Sequence, residues 1–94
     1  MKIIAVDIDG TLAEEEEGWK HYHRAIPRSK IIAKINRLYD EGHTIVIHTS
    51  RWEEDKRTTE QWLKEHGIKY HYLVMDKFRA DVYIDSQALR PEEL

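Results

Sequence analysis

Residues Lys2–Leu12 read KIIAVDIDGTL, and the fold turns on this stretch. Ile3, Ile4, Ala5 and Val6 form an apolar run without polar alternation, the pattern of a strand buried on both faces in a parallel sheet flanked by helices. The run breaks at Asp7, Ile8, Asp9, Gly10 and Thr11. Two carboxylates at i and i+2 therefore leave the strand just before a glycine releases the chain. At ~4 Å and an effective dielectric of ~20, two unit charges repel by roughly 4 kcal/mol. A cation, or a proton on one of them, removes most of that cost. Ligands of open α/β sheets bind beyond the carboxyl ends of the strands, so the pair marks a candidate site. The alternative is a buried strand running into an Asx-type turn with solvated carboxylates. An EF-hand loop is excluded, because the glycine comes too early and an apolar strand precedes it.

Further along, Ile31, Ile32, Ile35, Leu38 and Tyr39 recur at helical spacing, which predicts a helix over 29–40 with Pro27 before it and Gly42 as its stop. Thr44–His48 (TIVIH) reads as a second buried strand ending in Thr49, Ser50 and Arg51. A hydroxyl at a strand tip can donate to a phosphate oxygen, and an arginine adds a charge-assisted fork. A second helix is predicted over 53–67, with Thr59, Trp62, Leu63 and His66 on one face. Tyr70–Val74 is β-prone and forms a third strand, and Val82–Ile84 a short fourth ended by Asp85 and Ser86. Strands alternating with helices predict an α/β fold with a parallel sheet and right-handed crossovers.

Ninety-four residues make one domain, 1–94, at the small end for a self-sufficient core. A net charge of −3 counts against holding nucleic acid by positive charge alone. Without cysteine there are no disulfides, thiolate metal sites or cysteine nucleophiles. No signal peptide or bilayer-spanning run is read, so a cytoplasmic protein without membrane partners is expected.

Residues 13–27 (AEEEEGWKHYHRAIP) lack regular periodicity. The glutamate run reads as a solvated turn. Behind it, Trp19–Arg24 is an aromatic and basic cluster. Either Lys20, His21, His23 or Arg24 helps hold an anionic substrate, or the segment is a surface loop covering the sheet edge. His21 and His23 lack an evident third nitrogen or sulfur ligand for a metal.

The sequence DIDGTL resembles motif I of the haloacid dehalogenase (HAD) superfamily, most of whose members are magnesium-dependent phosphohydrolases. In that light Thr49 matches the hydroxyl of motif II, with Ser50 the competing assignment. Lys77 matches the lysine of motif III, with Arg79 a substitute, and Asp85 the acid of motif IV. Many relatives carry two adjacent aspartates in motif IV, whereas Ser86 stands at the second position here. The chain is similar to small cap-less HAD phosphatases of capsule or sugar-phosphate pathways. The resemblance implies a minimal Rossmann-like three-layer α/β/α fold, a parallel sheet of about four strands in the order 3-2-1-4, no cap domain, and a flap at 13–27.

The resemblance also implies a mechanism. Asp7 would be the nucleophile that forms an aspartyl-phosphate, and Asp9 the acid and base. Asp7 and Asp85, with the Asp9 carbonyl, would hold Mg²⁺. Lys77, Thr49, Ser50, Arg51 and the Gly10 turn would meet the phosphate. The expected activity is hydrolysis of a small phosphorylated metabolite such as a sugar phosphate. Two alternatives are a nucleotide or nucleic-acid-end phosphatase, and a degenerate domain that binds Mg²⁺ or a phosphorylated partner without turnover. A thinly covered edge strand also predicts a homo-oligomer.

Overall fold

The computed structural model describes residues 1–15 and 19–94. The five principal elements are β1 (Ile3–Val6), α1 (Ser29–Asp40), β2 (Thr44–His48), α2 (Lys56–Glu65) and β3 (Tyr72–Val74). One 3-10 segment, Trp19–Arg24, lies between β1 and α1. A second, Glu53–Asp55, leads into α2, so the helix predicted from Glu53 begins as a tighter turn. α1 and β2 have the bounds that periodicity predicts.

β1, β2 and β3 pair in parallel in that order, with Ile4 beside Ile45, Val6 beside Ile47, and Ile47 beside Leu73. These residues share one face and meet Ile31, Ile32 and Ile35 of α1 and Trp62 and Leu63 of α2 in one cluster. Both helices therefore lie on the same side, as right-handed crossovers that step in one direction along a sheet require. Burying each large aliphatic side chain is worth roughly 1.5–3 kcal/mol, so this layer carries most of the stability.

Among the described residues the opposite face is the more exposed one, with Thr44, Val46 and His48 of β2 only half-buried there. Ile3 is 79% exposed, Tyr72 62% and Val74 43%. The expectation that β1 is buried on both faces is thus corrected: it alternates, and as an edge strand it also has an unpaired side. The described residues do not form a third layer behind the sheet. Nor do they form the expected fourth strand, since Val82 is 72% exposed and Ile84 98%, and neither belongs to a strand. Short β-prone runs pair only when the chain brings them to an edge, which this stretch does not do. No described helix is long and apolar enough to cross a membrane.

Candidate active site

The carboxyl ends of β1 and β2 build the site. β1 ends at Val6, and the chain turns through Gly10, whose φ of +83° suits a residue without Cβ. A Cβ there would also stand 2.9 Å from Glu15 Oε2. The Thr11 and Ala13 amides both donate to the Ile8 carbonyl at 2.9 Å, which closes the turn. Arg28, just before α1, ties it down: its Nη1 donates to the Gly10 carbonyl at 3.1 Å and its amide to the Leu12 carbonyl at 2.8 Å. The return of the loop is held by Trp62 of α2, whose Nε1 donates to the Ala25 carbonyl at 2.8 Å.

Asp7 is half-buried at the tip of β1. Its Oδ1 accepts from the Ile8 amide at 2.8 Å, and Oδ2 lies 3.9 Å from Lys77 Nζ. Burial pushes the Asp7 carboxyl above its ordinary value of 3.8; the Ile8 amide and Lys77 pull the other way, while Asp9 adds to the rise. A carboxylate short of compensating charge is the chemistry that favours a positive partner or a proton. Lys77 is carried by a tight return from β3, in which its amide donates to the Thr49 carbonyl at 2.9 Å. Its ammonium also lies 4.3 Å from the centroid of the Tyr83 ring.

Thr49 is fully buried at the end of β2, and its hydroxyl accepts from the Arg51 amide at 3.2 Å. That leaves the hydroxyl proton available to an acceptor. Ser50 is half-buried, and its carbonyl accepts from Arg79 Nη2 at 3.1 Å. Arg51 is fully buried and faces Asp9: Nε donates to Oδ2 at 2.9 Å and Nη2 to Oδ1 at 2.8 Å. Asp7, Asp9, Gly10, Thr49, Arg51 and Lys77 thus share one end of the sheet.

Asp85 does not join them. It is exposed, and its Oδ1 accepts from the Gln87 amide at 2.9 Å. Among the described residues no three His, Cys, Asp or Glu side chains are grouped so as to hold a metal ion. The donor set Asp7, Asp9 and Asp85 is therefore not assembled here: Asp7 has the hard oxygen and the deficit of positive charge that suit Mg²⁺, while the Asp9 carboxylate is engaged by Arg51 and Asp85 lies apart. Glu16–Gly18 and the side chains of Trp19, Lys20 and His21 lie outside the described residues. His23 is exposed on a groove with Arg57, Gln61 and Glu65.

Several contributors escape a reading of the sequence. Arg28 and Trp62 hold the loop, and Thr59 and Tyr22 contact Arg51. Thr59 lies on the core-facing side of its helix, so helical spacing marks it only as core. Asp76 takes up a φ of +59° and its Oδ1 accepts from the Glu53 amide at 3.2 Å, joining the β3 return to the 3-10 segment that leads into α2.

A family described as the polynucleotide kinase PNKP phosphatase domain, of the HAD type, matches residues 1–90. The chain belongs to that family. This HAD phosphatase is similar to a solved structural-genomics target from Vibrio cholerae, with 27% identity and a TM-score of 0.84 over 99% of this chain and 86% of that one. At 20% identity and a TM-score of 0.73, it shares its fold with a chain of the Pnkp1/Rnl/Hen1 complex, covering 85% of itself and 30% of that chain. It also shares the fold of the D,D-heptose 1,7-bisphosphate phosphatase from B. bronchiseptica, complexed with magnesium and phosphate. There the identity is 17%, the TM-score 0.64, and the coverage 96% of this chain and 55% of that one. No curated protein sequence matches significantly.

Proposed function

We propose that this HAD phosphatase hydrolyses phosphomonoesters through an aspartyl-phosphate on Asp7. The observation that carries the reading is the half-buried Asp7 carboxylate at the tip of β1, with Lys77 3.9 Å away and burial raising its proton affinity. In the first step an Asp7 oxygen attacks phosphorus and the bond to the ester oxygen breaks. Asp9 gives a proton to that departing oxygen. In the second step Asp9 takes a proton from water, whose oxygen attacks the same phosphorus and frees Asp7 and inorganic phosphate. Lys77 balances the charge of the phosphoryl oxygens, and the Thr49 hydroxyl donates to them. Mg²⁺ is the proposed cofactor, with Asp7 and the Asp9 carbonyl as oxygen donors and Asp85 as the third once it lies beside them. When bound, the ion would offset the repulsion between the Asp7 carboxylate and the anionic phosphate.

For the substrate, we propose a small phosphorylated metabolite such as a sugar phosphate, which the net charge of −3 favours over a polyanion. The family match favours a second reading, a phosphorylated nucleic-acid end. Phosphate release from sugar phosphates, nucleotides and 3′- or 5′-phosphorylated oligonucleotides, with and without Mg²⁺, separates the two. Release from none of them would overturn the hydrolase reading. Binding of phosphate without any turnover would select a non-catalytic domain instead.

A further inference from the structure

The geometry points to Arg51 as a positioning residue for Asp9 rather than a phosphate ligand, an inference that takes the reading of Asp9 as acid and base from the proposal above. Every nitrogen of the guanidinium is engaged inside the protein. Nε and Nη2 form a two-pronged bond to the Asp9 carboxylate, and Nη1 donates to Thr59 Oγ1 at 3.2 Å. The flat face of the group lies 4.0 Å from the centroid of the Tyr22 ring. Arg51 is wholly buried, whereas the Asp9 side chain keeps 24% of its surface. A phosphate therefore reaches Asp9 before it reaches Arg51.

Burying a guanidinium costs several kcal/mol unless its partners are well aligned. Here one carboxylate, one hydroxyl and one aromatic face supply the alignment, from three different parts of the chain: the turn after β1, α2 and the 3-10 segment before α1. The consequence falls on Asp9. A carboxylate gripped at both oxygens by a planar fork is fixed in orientation. Each oxygen still keeps a second lone pair, and on the exposed edge of the group one of them can hold the proton that Asp9 passes to the ester oxygen. Arg51 thereby aims the proton donor without touching the substrate.

A comparison of leaving groups tests this. An aryl ester such as 4-nitrophenyl phosphate departs as a weakly basic phenolate and needs little help from an acid, whereas an alkyl phosphate needs its oxygen protonated. Arg51→Lys keeps the charge but loses the fork. We expect it to lower kcat/KM, which reports the step that expels the leaving group and not the hydrolysis common to both esters, on the order of tenfold to a hundredfold more for the alkyl ester than for the aryl ester, with inhibition by inorganic phosphate unchanged. Asp9→Asn should show the same preference, and adding Arg51→Lys to it should cost nothing further on the alkyl ester. Equal losses on both esters with weakened phosphate inhibition would overturn the inference and make Arg51 a phosphate ligand.

Thr59→Val, which removes only the third bond, gives the same comparison in a milder form if Arg51→Lys fails to fold. A double-mutant cycle of Arg51→Met and Asp9→Asn on Tm reads the pair without any activity. Additive effects would remove the pairing. Coupled effects in a protein inert toward both esters would retire the hydrolase reading, and the positioning role with it, while leaving the ion pair in place.

Discussion

Lys77 Nζ stands 3.9 Å from Asp7 Oδ2, so the ammonium faces the carboxylate without making a tight hydrogen-bonded pair with it. The gap matters because burial has already raised the proton affinity of Asp7, and Lys77 offsets only part of that rise. Asp7 is held in a state of unmet demand for positive charge, which is how a carboxylate destined for an anionic substrate and a cation would be kept.

Asp7→Asn should therefore trade activity for stability. Loss of the nucleophile should lower turnover on the order of 10⁴-fold or more. A carboxyl whose folded-state pKa is raised contributes stability that is complete below its unfolded value and is lost as pH rises through the folded one. At neutral pH the ionised Asp7 is thus a burden that asparagine lacks. Thermal unfolding in EDTA should give the variant a higher Tm near pH 7, with the difference shrinking below about pH 4. A lower Tm at pH 7 would contradict the burial of the charge.

Lys77→Met removes the charge facing Asp7 and the contact with the Tyr83 ring. We expect kcat/KM to fall roughly 10²–10³-fold, as when one preorganised electrostatic partner is lost. Inorganic phosphate should inhibit the variant less strongly. Tm should change little, because the lysine is partly solvated and its ion pair long. Unchanged kinetics would shift the role to Arg79.

Gly10→Ala puts a side chain on a residue with φ +83° and brings its Cβ against Glu15. The backbone penalty alone is about 1–2 kcal/mol. Gly67→Ala, at φ +66° with open space around it, should carry only that penalty and keep full activity. Gly10→Ala should lose activity as well, since the neighbouring Asp9 moves with the turn. Circular-dichroism melts and steady-state rates on both variants make the comparison.

EDTA should abolish phosphate release and Mg²⁺ should restore it. Asp85→Ala should raise the Mg²⁺ concentration needed for half-maximal rate, although Asp85 is exposed and engaged with the Gln87 amide here. A wild-type Mg²⁺ profile in that variant would remove Asp85 from the proposed ligands.

The unpaired side of β1 and the more exposed sheet face carrying Ile3, Tyr72 and Val74 predict self-association at high concentration. Sedimentation should show a species larger than one chain, and Ile3→Lys should reduce it. A strictly monomeric wild type would end that expectation.

Local pattern and tertiary placement divide cleanly in this molecule. The bounds of α1 and β2, the strand leading into Asp7 and the turn at Gly10 were legible in the sequence, because helical periodicity, a short apolar run and a glycine act over a few neighbouring residues. The gathering of Asp7 and Thr49 at one end of the sheet followed from their common place at strand ends, which parallel order turns into proximity, whereas Lys77 was named only by the resemblance to HAD motif III. The partner of Arg51 was not legible: Asp9 lies 42 residues away, and a long side chain at a strand tip can reach a phosphate, a carboxylate or solvent equally well. Only the packed arrangement of Tyr22, Thr59 and Asp9 around it selects among them. The same holds for the sheet. Apolar strands announce burial, but whether one face or both is covered depends on the direction of each crossover and on whether residues 82–84 reach the free edge of β1, and neither is written in any local stretch of residues.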